Sequence, residues 1–106
     1  MVRKVWVVKA DWVNEDTWLE EPETIVGIYA TKEGAVRKAE RELKKFYKEF
    51  KRYDVDPTLS EAIKHIRRKN YANVFAHGSG EGINIKIQQK TLTDTVKRKK
   101  KRSRRR

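Results

Sequence analysis

The chain has 106 residues, 37 % of them hydrophobic and 40 % charged, with a formal net charge of +12. That length supports one small core. The absence of cysteine excludes disulfides, thiolate metal sites and cysteine nucleophiles, and no apolar run approaches the roughly 20 residues of a membrane-spanning helix.

The charge is unevenly spread. The last ten residues, "KRKKKRSRRR", carry nine cations and no acid, leaving +3 of the +12 for residues 1–96. The tail also has no apolar side chain, so it cannot build a core. The expected organisation is a folded α+β domain over residues 1–96 and a disordered basic tail over residues 97–106.

"KVWVVKADW" (Lys4 to Trp12) is rich in Val and Trp and predicts a strand. The opening "MVRKVWVVKADW" is basic then apolar, but Lys9 and Asp11 interrupt the run and no small-residue cleavage site follows, so a strand fits better than a signal peptide. The polar, acidic "NEDTWLEEPE" follows, and "TIVGIYA" (Thr24 to Ala30) predicts a second strand. Its near-continuous apolar character predicts a buried central position, paired with the first strand as an antiparallel hairpin.

Thr31 has the chemistry of a helix N-cap, with Glu33 in the first turn. Val36, Ala39, Leu43, Phe46 and Phe50 recur every three or four residues, flanked by Tyr47 and Tyr53, and predict a helix from Lys32 to about Tyr53. "DVDP" breaks it. Asp56 could cap a second helix with Pro57 at its first position, an inner face of Leu59, Ala62, Ile63 and Ile66, and a stop at Asn70. "YANVFAH" predicts a third strand, "GSGEG" a turn, and "INIKIQQKTL" a fourth strand with alternating isoleucines. The expected order is ββααββ, an antiparallel sheet with the helices packed on one face.

The long helix holds the most informative charge pattern. At 100° per residue from Val36, its apolar positions fill an arc from about 260° to about 20°. Arg37, Lys38, Arg41, Lys44, Lys45, Lys48 and Arg52 fall between about 80° and 200°, with no acid between them. Like charges four apart, such as Arg37–Arg41 and Lys44–Lys48, cost about 0.2–0.5 kcal/mol each unless an anion offsets them. The stripe is either a lysine-rich solvated face or a rail for a polyanion. Arg67 and Arg68, with Lys64 and Lys69, add cations on the second helix. The tail residues Lys97, Arg98, Lys99, Lys100, Lys101, Arg102, Arg104, Arg105 and Arg106 would extend the same chemistry as a mobile arm binding phosphate by counterion release. A nuclear localisation signal, a solubility device or a remnant of cloning are the other readings of that tail, and Ser103 has basophilic-kinase surroundings.

The acidic stretch "DWVNEDTWLEEPE" contains Trp12, Trp18, Glu20 and Glu21. It could serve as a protein-partner loop, cover the tail electrostatically, or cap the core edge while its acids keep the hairpin soluble. Its acids do not follow the calcium-loop pattern, and His65 and His77 alone do not make a zinc site. "HGSGEG" lacks the spacing and the lysine of a phosphate loop, and Ser79 stands too close to His77 along the chain for a catalytic pair. No catalytic site, metal or cofactor is expected.

The stretch "IVGIYATKEGAVRKAE" (Ile25 to Glu40) resembles small uncharacterised phage and bacterial proteins with the order strand, acidic loop, strand of the type "-IVGVYSTKE-A", helix. Met1 to Tyr53 fits that order, and the chain departs from it after Tyr53. The resemblance implies a viral or mobile-element origin and carries no activity. The expected setting is intracellular: cytoplasm, nucleoid or a virus-infected cell, or the nucleus in a eukaryotic host. The expected function is non-enzymatic, mainly sequence-independent binding of DNA or RNA without membrane contact. The alternative is a viral or mobile-element protein-binding module, a host-factor or defence modulator, acting through the acidic tryptophan loop.

Overall fold

The computed structural model describes residues 3–17 and 20–92. The elements are β1 (Arg3–Asn14), β2 (Ile25–Tyr29), α1 (Lys32–Glu49), β3 (Asp54–Asp56), α2 (Leu59–Lys69), β4 (Tyr71–His77) and β5 (Glu81–Leu92). They form an α+β fold with one five-stranded antiparallel sheet, ordered β2-β1-β5-β4-β3.

The backbone of the sheet is the β1–β5 pair, in register from Arg3↔Leu92 to Asn14↔Glu81. Val8 pairs with Ile87, Ala10 with Ile85 and Trp12 with Ile83; Ala72 and Val74 on β4 pair with Ile85 and Ile83. With side chains alternating every residue, these positions share one sheet face. Val8, Ala10, Ile83, Ile85, Ile87, Ala72, Val74 and Ala76 join Ala35, Val36, Ala39, Leu43, Phe46, Phe50, Ala62 and Ile66 in one core cluster. The close approach of β4 demands glycine near the start of β5: a Cβ on Gly82, paired with Phe75, would clash with the Val74 carbonyl oxygen.

Both helix starts are capped by threonine. Thr31 accepts a hydrogen bond from the Gly34 amide at 3.1 Å. Thr58 and Glu61 form a reciprocal capping box, at 3.3 Å in each direction. Asp56 is therefore not the cap expected from the sequence. It belongs to β3, whose register partners on β4 run from Asp54↔His77 to Asp56↔Phe75.

That short strand is absent from the expected element order, and it also explains why α1 ends at Glu49 rather than near Tyr53. Phe50 caps α1 through its amide to the Phe46 carbonyl at 3.0 Å, and the chain then turns to reach the free edge of β4. Tyr47 fixes the crossing, because its hydroxyl donates to the Pro57 carbonyl. Burial, then the charges of Asp56 and Glu61, push the Tyr47 phenol well above its ordinary pKa.

A second correction concerns β2. It is an edge strand, not a central one, and Ile25 and Ile28 are 54 % and 57 % exposed. One edge of β1 is occupied by all twelve residues of β5, so β2 takes the outer edge and has a single neighbour.

Asn70 ends α2 as the sequence predicts. It adopts a left-handed conformation, φ 63°, and its amide donates to the Ile66 carbonyl at 2.9 Å. After glycine, asparagine is among the residues that tolerate this region best, because its short polar side chain can bond locally. Its Oδ1 is buried without a hydrogen-bond partner among the described residues. Asn70→Ala should therefore cost about 1 kcal/mol in urea unfolding, whereas Asn70→Gly should be neutral or stabilising. Equal losses from both would contradict this account of the cap.

Candidate nucleic-acid interface

The outer face of α1 presents most of its cations to solvent, although the Lys38 side chain is only 19 % exposed, and acids reach several of them. Arg37 lies 3.5 Å from Glu33. Glu42, one turn beyond Lys38, contacts Lys38 at 2.9 Å and Lys45 at 3.4 Å. Burial raises the Glu42 carboxyl, but hydrogen bonds and charge from Lys38 and then Lys45 outweigh that and hold it below the ordinary glutamate value. Arg67 crosses from α2 to Glu40 at 2.8 Å and Glu33 at 3.8 Å, tying the helices together. The stripe is thus not single-signed along its whole width: its borders are neutralised.

The centre is not. Arg41, Lys44 and Lys48 are exposed, three and four residues apart, and have no acid within ion-pair distance among the described residues. They form a row of about 11 Å along the helix axis. Arg52 continues beyond the end of α1, and Arg68 on α2 is likewise exposed without an acidic partner among the described residues. The tail, Lys97 to Arg106, lies outside the described residues.

The residues of the expected partner loop do not come together. Trp12 points to the α1 side, with its ring centroid 5.1 Å from Phe46 and 5.7 Å from Phe50. Glu20 and Glu21 lie against the opposite sheet face. The Glu20 carbonyl accepts from Asn84 Nδ2 at 2.7 Å, and the Glu21 carboxylate meets Lys86 Nζ at 2.7 Å. Its hydrogen bond to Lys86, followed by the Lys86 charge, lowers the Glu21 pKa. Pro22 between them and Thr24 is buried, the Glu23 amide donates to Asp11 Oδ2 at 2.8 Å, and the Ala10 amide donates to the Thr24 carbonyl at 2.9 Å. This end of the acidic stretch is laid down on its own sheet. Trp18 lies outside the described residues.

The structure brings in two residues that the helix pattern did not assign. Trp12, Lys45, Lys48, Glu49 and Lys51 line a groove of about 550 Å³ where β1 meets the end of α1. Lys51 falls outside the basic arc of an ideal helix, and it joins the site because α1 ends at Glu49. Trp12 could have been placed by its alternation with Val8 and Ala10, which puts all three on the helix side of β1.

On the other sheet face a cavity of about 410 Å³ is lined by Glu15, Asp56, Phe75 and His77. His77 Nε2 stands 3.9 Å from Asp56 Oδ2. Ser79 is occupied in its turn, donating to the Ala76 carbonyl at 2.7 Å and accepting from the Glu81 amide at 3.0 Å. Among the described residues no helix is long and apolar enough to cross a membrane.

No family model, curated protein or solved structure matches this chain.

Proposed function

We propose that the chain is a non-enzymatic nucleic-acid-binding protein. In this reading both helices sit against one face of the sheet, and the outer face of α1 is a fixed rail for phosphates. The Lys/Arg-rich arm from Lys97 to Arg106 adds sequence-independent attraction. The observation that carries the proposal is the row Arg41, Lys44 and Lys48. Three like charges are held on one exposed helix face while nearby acids pair with other cations. Such a row is unfavourable by a few tenths of a kcal/mol per pair in isolation and becomes favourable against a phosphate backbone. Phosphate contacts of this kind position a nucleic acid without reading its sequence.

The test is fluorescence anisotropy of the full chain with labelled duplex and single-stranded oligonucleotides over a salt series. Binding should weaken linearly in log–log form, with a slope near 0.9 per phosphate neutralised on duplex and 0.7 on single strands. No binding at low salt would overturn the proposal.

Glu42 provides an opposite-signed check. Glu42→Gln removes the acid shared by Lys38 and Lys45 and should tighten binding several-fold at low salt, with a slope steeper by about one unit or more. Unchanged or weaker binding would place those two lysines outside the interface.

A further inference from the structure

The groove at the end of α1 differs chemically from the row beside it. Trp12 is half of an aromatic ledge. Its buried side is fixed by Phe46, edge-on at 69°, and by Phe50, tilted at 48°, while 49 % of the residue remains exposed. Trp6, on the same side of β1, already carries Lys32 Nζ at 5.8 Å from its ring centroid. Among the described residues no ammonium sits over Trp12. Instead Lys45, Lys48 and Lys51 stand around it as groove walls, with Glu49 as the one acid. The lining therefore combines a flat apolar surface with three cations and one carboxylate, and of the cations Lys45 is shared with Glu42 outside the groove while Lys48 and Lys51 have no acidic partner among the described residues.

A rigid, half-exposed indole ringed by lysines complements a flat base flanked by phosphates. Aromatic side chains in positively charged grooves take successive bases of single strands by stacking, and every base offers a π-face. A duplex cannot use this ledge, because its bases are stacked on one another and only their edges reach the grooves. Lys48 belongs both to this groove and to the row with Arg41 and Lys44, so the ledge lies at the end of the phosphate rail. Glu49 disfavours a phosphate at its own position and supplies an acceptor for a base N–H.

We infer that the Trp12 groove is a base-stacking site for single-stranded nucleic acid, in which one base lies on the exposed indole and the adjoining phosphates lie on Lys45, Lys48 and Lys51. This rests on the nucleic-acid reading above and adds a preference for single strands.

The test uses the full chain with a labelled short oligothymidylate, an oligouridylate and a duplex, at one moderate salt concentration. Trp12→Leu keeps apolar packing on Phe46 and Phe50 but offers no π-face, whereas Trp12→Phe keeps one. Circular dichroism establishes that both variants fold. Trp12→Leu should lose about 5- to 150-fold on the single strands, the range for one lost stack, and change little on duplex. Trp12→Phe should stay within a few-fold of the parent on all three. In a Trp6→Phe, Trp18→Phe background, oligothymidylate should also quench the remaining Trp12 fluorescence. If Trp12→Leu binds single strands as well as the parent does, or loses equally on duplex, or if Trp12 is not quenched, the stacking site is overturned while the phosphate rail stands. If the parent binds none of the three oligonucleotides at low salt either, the nucleic-acid reading itself fails.

Discussion

Replacing Arg41, Lys44 and Lys48 together by Glu should weaken binding to duplex by about 100-fold or more near physiological salt. Each phosphate contact contributes about 0.9 to the log–log salt slope through counterion release, so loss of three lowers the slope by about 2.7. Reversal adds repulsion to that loss. Arg41 and Lys44 should act nearly uniformly across sequences and between duplex and single strand, because a phosphate contact carries no base information. Lys48 should matter more for single strands, since it also lines the Trp12 groove. The substitutions lie on an exposed helix face, and surface changes of this kind usually alter stability by about half a kcal/mol or less each. They should leave the unfolding midpoint close to that of the parent. A large loss of stability would show that the row has a structural role.

Phe46→Ala should have the largest effect on the fold. Phe46 is fully buried in the last turn of α1. Its ring centroid lies 4.6 Å from Phe50, 5.1 Å from Trp12 and 6.2 Å from Tyr47, so one side chain joins the helix to β1 and to the ring that anchors Pro57. Removing a buried phenylalanine typically costs about 3–5 kcal/mol, part in transfer and part in the cavity left behind. For a domain of this size that is a large share of a total near 5–15 kcal/mol, and it should lower the melting temperature by about 15–30 °C. The variant should also lose single-strand preference before it loses duplex binding, because the Trp12 ledge rests on Phe46. A loss below about 1 kcal/mol in urea unfolding would mean that this aromatic cluster does not join α1 to the sheet.

Features fixed by local chemistry were legible in the sequence. Thr31 caps α1, Asn70 stops α2, and the isoleucines of β5 alternate, each for a reason contained within a few residues. The heptad-like spacing of Val36, Ala39, Leu43, Phe46 and Phe50 identified the buried face of α1 correctly. Features set by distant neighbours were not legible. The run "TIVGIYA" is apolar enough for a central strand, but its position depends on β5 having taken the other edge of β1. Asp54–Asp56 has no strand-like composition and pairs because the edge of β4 is within reach.

The candidate site divides in the same way. Angular spacing alone gathers Arg41, Lys44 and Lys48 on one helix face. The pairing of Arg67 with Glu40 requires α2 to lie beside α1, and the meeting of Trp12 with Lys51 requires the end of α1 to lie over β1. The acidic stretch shows the converse. Its residues are contiguous in sequence, but strand alternation sends Trp12 to one sheet face while Asn84 and Lys86 hold Glu20 and Glu21 on the other.

The proposed interface would localise binding on the outer face of α1, where a merely basic chain would bind through all of its cations. The most direct measurement compares the salt dependence of duplex binding for two full-chain variants of equal net charge. One carries Arg41→Glu, Lys44→Glu and Lys48→Glu; the other carries Arg3→Glu, Lys9→Glu and Lys90→Glu, all on the opposite sheet face. The slope should fall by about 2.7 in the first variant and by well under one unit in the second. Equal losses in both would contradict a defined interface on α1 and leave only diffuse attraction to a cationic chain.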